Sequence, residues 1–241
     1  EGRRSSIFLG NARDGQGKVL LAADWPDSTR WLWRTPVRVN DSLLLFTSIS
    51  LRQMTNATSA RWHLLHPGTG TIVAQGEAYP TNNGGYGVTK QPIVADGMAF
   101  LVAFDHIVCL GMPDGAERWR TALPRDMLTS APLLAGKYLY CAMEDGFLYK
   151  LDSHDGRIIW RAAVSGTPGR PILHRGLVWV VGGADGVLHG ISETDGTVRE
   201  RIFAPNHHYH ENEFYRRFIG ADPKLDVMLL FDGNSFRGYD F

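Results

Sequence analysis

An internal repeat at an offset of 40 residues, Asp-Gly pairs at fixed places within it, and no sustained 3.6-residue apolar period predict an all-β chain. Its expected architecture is a β-propeller of four-stranded antiparallel blades. The repeat appears without gaps when Asp145–Trp160 is laid over Asp185–Glu200. The same frame recovers Ile107–Trp119, and a weaker copy runs over Trp62–Val73. A proline opens an apolar stretch upstream of each copy: Pro36, Pro92, Pro132 and Pro171, spaced by 56, 40 and 39 residues.

The clearest copy justifies each strand in turn. An inner strand starts at Pro132 and runs to Leu134, and Ala135-Gly136-Lys137 turns it. A β-rich run, Tyr138–Met143, leads to Glu144-Asp145-Gly146, a hairpin signal because glycine tolerates positive φ freely and Asp in part. Phe147–Asp152 is the third strand, Ser153–Gly156 the next turn, and the outer strand ends at Trp160. The resulting boundaries are a partial blade 1–35, blades 36–77, 91–122, 131–163 and 170–203, and a partial blade 217–241. At the front, Val19–Asp24 and Arg30–Arg34 read as a third-and-fourth-strand hairpin. At the back, Phe218–Ala221, Val227–Phe231 and Phe236–Asp240 read as strands one to three. Ends that share a blade give a ring of five or six; otherwise the chain is a fragment of a larger ring. Asn206–Arg217 is the one weak helix candidate.

Composition bounds the function. The chain has 241 residues, with 25 Lys+Arg against 25 Asp+Glu, which argues against nucleic acid or an anionic membrane surface as default partner. The longest apolar runs, such as Leu177–Val181, fall far short of the roughly 20 residues a spanning helix needs, so no transmembrane segment is expected. Twenty-seven glycines without a low-complexity tract place glycine in many turns. The first residue is Glu1 and no charged-then-apolar leader follows it. The sequence therefore reads as a processed chain, an excised domain or a fragment, and its localisation is not legible from these residues.

The run Gly136–Trp160, with looser copies at Gly97–Trp119 and Gly176–Glu200, resembles the PQQ-like, quinoprotein-type propeller repeat. That family includes quinoprotein dehydrogenases, a lipoprotein of outer-membrane assembly and sensor domains of some kinases. The resemblance covers Pro92–Ile202 and implies the propeller fold and an extracytoplasmic place, periplasmic or secreted. Its motif residues are structural, so it speaks to fold more than to activity. The dehydrogenases would bring PQQ and calcium, but they resemble eight-bladed rings with vicinal cysteines. Here Cys109 and Cys141 are 32 residues apart, so no cofactor is expected and both thiols read as free and buried.

Trp119 and Trp160 share one repeat slot, with Trp33 close to it, and are expected to wedge neighbouring blades together. Ala74 and Glu200 occupy that slot in the other two copies, which predicts looser docking there. Trp25 and Trp31 lie outside it. The Asp-Gly pairs lack the alternating oxygen ligands and closing Glu of a calcium loop and read as turns. His174 and His189, on strands, read as satisfied structural residues.

Candidate function lies in the connections that enter each inner strand, which gather at one mouth of a propeller channel. Two are long, Gly76–Gln91 and Phe203–Arg217; Leu123–Ser130 and Val164–Arg170 are short. Long connections on a regular scaffold are where binding residues concentrate. The first carries Tyr79, Asn82, Asn83, Tyr86 and Lys90, suited to stacking and hydrogen bonding. The second carries His207, His208, His210, Glu211 and Arg216, which supply titratable and charged groups. Arg125 and Arg170 would line the wall. His208 and His210 share one side of an extended chain and, with Glu211 or Glu213, could hold zinc or iron. A solvated loop is the simpler reading, and no metal is assigned. The expectation is a non-catalytic binding or scaffold propeller presenting a protein or carbohydrate ligand surface at the channel mouth. The alternatives are a carbohydrate hydrolase or lyase at that mouth, and a fragment of a PQQ-dependent dehydrogenase.

Overall fold

The computed structural model describes residues 3–10, 17–25, 29–33, 36–52, 56–77, 91–102, 106–123, 131–166, 168–183, 185–203, 218–222, 224, 226–231 and 236–240. Every element among them is a strand, as the repeat predicts, and no helix is present among the described residues. The chain divides into two compact units, Glu1–Ala122 and Leu123–Phe241.

In the first unit, β1 (Arg3–Gly10) and β2 (Gly17–Trp25) form an antiparallel pair. A second sheet holds β3 (Thr29–Trp33), β4 (Val37–Asn40), β5 (Leu43–Arg52), β6 (Asn56–His66) and β7 (Thr71–Glu77). A four-stranded sheet follows, β8 (Ile93–Ala95), β9 (Met98–Val102), β10 (His106–Gly111) and β11 (Glu117–Ala122). The hairpin expected between Val19–Asp24 and Arg30–Arg34 is not the observed pairing. Strand β2 pairs with β1, whereas β3 pairs with β5, Trp33 facing Ser48. Strand length explains this. β5 and β6 run to 10 and 11 residues, β4 covers only the first part of β5, and β3 satisfies the backbone of the remainder.

The second unit begins with a four-stranded sheet, β12 (Leu133–Ala135), β13 (Tyr138–Ala142), β14 (Phe147–Asp152) and β15 (Ile158–Ala163). The next is β16 (Ile172–His174), β17 (Leu177–Val181), β18 (Val187–Ser192) and β19 (Val198–Phe203). A three-stranded sheet of β20 (Phe218–Asp222), β21 (Val227–Phe231) and β22 (Phe236–Asp240) matches the expected strands one to three.

The second and third strands of the four-stranded sheets are buried almost throughout, the pattern of strands covered on both faces. The fourth strands alternate and face solvent. Each fourth strand carries a β-bulge at the same place, opposite Leu64/Leu65, Cys109/Leu110, Lys150/Leu151 and Gly190/Ile191. The extra residue is Val73, Arg118, Ile159 or Arg199, and the slot residue follows immediately. The bulge therefore sets the direction of the slot side chain. It also accounts for two exposed aliphatics, Val73 and Ile159.

Packing between sheets corrects the slot expectation. Trp160 leans on the following sheet as expected, its Nε1 donating to the Glu193 carbonyl at 3.1 Å. Where Ala74 takes the slot, Trp62 of β6 passes over Gly76 and contacts Gly115, joining Leu45 and Leu64 to Leu101 and Val108 in one core. Where Glu200 takes it, Trp179 of β17 lies over Gly190, buried with Ile219, Met228 and Leu230. The indole has moved to an inner strand, and a facing glycine on the adjacent strand makes room for it. These interfaces are filled, not loose.

Candidate functional site

Alternation of strand direction puts the turn between second and third strands at the same end of a sheet as the connection leaving its fourth strand. In the second unit this end is stitched by backbone hydrogen bonds. Val164 N donates to Gly146 O (2.7 Å), Gly169 N to Val181 O (2.9 Å) and Gly183 N to Ser165 O (2.9 Å). Arg170 sits here, exposed, between Gly169 and buried Pro171. The other residues singled out from sequence, Tyr79, Asn82, Asn83, Tyr86, Lys90, Arg125, His207, His208, His210, Glu211 and Arg216, lie outside the described residues, as does the weak helix candidate. In chain order their segments follow β7, β11 and β19.

Two polar pairs line the stitched end. Asp145 Oδ1 accepts from Phe147 N at 3.1 Å, which fixes the turn, and Oδ2 accepts from the Tyr149 hydroxyl at 2.5 Å. One repeat later, Asp185 Oδ1 accepts from Val187 N at 3.0 Å and Oδ2 lies 3.4 Å from His189 Nε2. The repeat's aspartates thus serve turns as expected. His189 departs from its reading as a satisfied residue: it is buried, and neither ring nitrogen has a hydrogen-bond partner. Desolvation lowers its pKa and Arg201 acts in the same direction, with Asp185 opposing. His174 lies 3.3 Å from Asp226, the carboxylate that also holds Arg175 and so ties β16 to the sheet of β21.

At the other end, Glu193 receives three groups from the preceding sheet. The Tyr140 hydroxyl donates to its carboxylate at 2.9 Å, and Lys150 Nζ and Trp160 Nε1 donate to its backbone carbonyl at 2.7 and 3.1 Å. Lys150 is 4% exposed and its ammonium lies 3.7 Å from the centre of the Tyr138 ring, so a carbonyl and a ring face replace much of its water. This is a clasp between sheets.

One constellation has the order of a nucleophile, a base and an orienting group. Ser48 Oγ is 2.7 Å from His63 Nε2, and His63 Nδ1 is 3.2 Å from Gln75 Oε1. The amide oxygen fixes the proton on Nδ1, leaving Nε2 to accept from the hydroxyl. Ser48 is 1% exposed in the middle of β5, and burial pushes His63 down to about 4. The trio satisfies its own polar atoms inside the sheet and does not present an attacking group. Sequence reading missed it because its members are on three strands. Cys109 and Cys141 are free and buried, with burial pushing the Cys109 thiol up to about 11.

These repeats, bulges and wedged sheets define a β-propeller built from PQQ-like repeats. A family model described as outer membrane protein assembly factor BamB matches residues 57–214. The chain belongs to that family. A curated relative, outer membrane protein assembly factor BamB of Yersinia pestis, is 28% identical over 96 residues, covering 35% of this chain and 24% of that protein. The chain thus aligns with about a quarter of the relative's length. Among solved structures, Sqt1 of Saccharomyces cerevisiae superposes with a TM-score of 0.63 at 8% identity, covering 95% of this chain and 64% of that one. BamB from Moraxella catarrhalis aligns with a TM-score of 0.49 at 15% identity, over 87% of this chain and 63% of that one. No helix among the described residues is long and apolar enough to cross a membrane.

Proposed function

We propose that this chain is a non-catalytic binding propeller, a ring of five or six blades, that presents a protein-partner surface at the end carrying its long connections. We place it outside the cytoplasm, in the assembly of outer membrane proteins. The match of residues 57–214 to the BamB family model carries this reading. The described part of the site supports it: the Asp145–Tyr149 pair is internally satisfied and the Ser48–His63–Gln75 trio is closed to substrate. The adaptable side chains, Tyr79, Asn82, Asn83, Tyr86 and Lys90 on one connection and His207, His208, His210, Glu211 and Arg216 on the other, form the contact surface, with Arg125 and Arg170 at its wall.

The test is complementation. The exported chain is expressed in an outer-membrane bacterium lacking its own BamB, and outer membrane protein levels are measured. Restoration is expected, and its loss when Tyr79, Tyr86, His208 and His210 are all changed to Ala at unchanged melting temperature. Full rescue by that variant would remove the surface from the proposal. No rescue by the intact, folded chain would remove the role.

A further inference from the structure

We infer that Arg201 and Phe203, on the outer strand β19, dock an acidic segment of a partner protein that carries an apolar side chain beside its carboxylate. The inference rests on the binding-propeller reading above and names the chemistry of that partner. The two four-stranded sheets of the second unit show how the surface arises. In the first, Phe147 pairs with Ala163 and Tyr149 with Arg161; at the offset of 40, Val187 pairs with Phe203 and His189 with Arg201. The first sheet keeps its ring half-buried on the third strand, and the Arg161 guanidinium lies over it, 4.8 Å from its centre. In the second the ring has crossed to the outer strand. There Phe203 is 71% exposed, more than any other large apolar side chain among the described residues.

The exchange leaves Arg201 without a seat. Val187 offers no ring, and His189, its partner across the strands, supplies no negative charge. Arg38, Arg120, Arg157, Arg175 and Arg199 each reach a carboxylate. Arg201 is exposed and reaches none among the described residues. Its guanidinium therefore turns to solvent a planar fork of donors that matches a carboxylate. Arg201 and Phe203 are two apart on one strand, so they project from one face about 7 Å apart along the chain. An extended segment with a carboxylate two residues from an apolar side chain has the same spacing. An exposed ring beside an unpaired guanidinium is also the composition of an interface anchor. Phe203 opens the long connection Phe203–Arg217, so the pair adjoins the contact surface proposed above. A protein carboxylate fits better than an anionic membrane, because the neighbouring Arg199 is engaged by Asp195 and Glu200 beside it is exposed.

The test uses the full chain and two labelled peptides, one alternating aspartate with leucine and the other lysine with leucine, read by fluorescence anisotropy. The aspartate peptide should bind and the lysine peptide should not. Arg201→Glu should weaken the aspartate peptide by roughly tenfold or more and accept the lysine peptide instead. Phe203→Ser should also weaken it by roughly tenfold, at an unchanged melting temperature. Arg199→Ala, which removes the partner of Asp195, should change little. No binding by the parent chain, or binding that Arg201→Glu leaves intact, would overturn the site. So would phosphatidylglycerol vesicles binding in place of the peptide, or a dimer that Phe203→Ser dissolves, since each gives the surface another occupant. Complementation keeps the two readings apart. Rescue by the Arg201→Glu chain equal to the parent's would remove this site and leave the binding-propeller reading. Failure of the parent to rescue would remove that reading, while the charge-swapped peptides still decide the site.

Discussion

The indole of Trp160 lies against Gly196 of the following sheet, where a Cβ would stand 2.8 Å from Trp160 Cδ2. Gly196 has φ +73°, a left-handed backbone that any other residue adopts at a cost. Gly97 has nearly the same backbone, φ +71°, with nothing within 4 Å of its missing side chain. Gly97→Ala should therefore cost about 1–2 kcal/mol from backbone alone. Gly196→Ala should add about 1–3 kcal/mol of overpacking. Urea midpoints of the two variants check this, and equal shifts would mean the wedge has room to yield.

Trp62→Ala and Trp179→Ala should each cost about 3–5 kcal/mol, as Trp160→Ala should, because all three fill space between sheets. If only the fourth-strand slot mattered, the first two would be mild. Denaturant unfolding of the three variants side by side separates these outcomes.

Tyr140→Phe should cost about 1.5–3 kcal/mol, the range for a hydrogen bond to a charged acceptor, since it strips the Glu193 carboxylate of its 2.9 Å donor. Adding Glu193→Gln should shrink the penalty, and a double-mutant cycle measures that coupling.

Acid should weaken the fold through His63. Its folded pKa of about 4 lies below the unfolded value of 6.5, so the unfolded chain binds the proton more tightly between them. The stability is fully present above about pH 6.5 and is lost as pH falls toward 4. The loss from pH 7 to pH 5 should be about 2 kcal/mol. His63→Gln should flatten most of that slope. His189, lowered in the same direction, contributes to what remains.

Much of the fold was legible because its signals are local. Pro132, Gly136, Asp145-Gly146 and Asp155-Gly156 mark turns within a few residues of the strands they join, and each behaves so in three dimensions. The pairing of β3 with β5 was not legible, since it depends on the unusual length of β5 and β6 and on no turn. The relocated indoles were hidden for a similar reason. Trp62 and Gly76, like Trp179 and Gly190, face each other across strands, and neither partner marks the other in sequence. The Asp185–His189 pair had a visible trace, the exchange of Tyr149 for histidine at constant aspartate. The two long connections stand out by length alone, and that says where contacts fall more than what they grip.

The Trp160–Gly196 and Trp62–Gly115 contacts make two of the sheets locks, each with its key carried by the sheet before it. A gene duplication that copies one repeat with its own tryptophan and its own turn glycine yields a unit that fits on both sides at once, so such arrays can lengthen by whole steps. The unit of Trp62 reaches the same turn glycine from an inner strand, whereas Trp179 lies over Gly190 of its own sheet and no longer shares the common cut. Exchange of single units between such chains should be tolerated where the fourth-strand tryptophan is present and fail where it is not. The inner-strand units should then hold their places in the array.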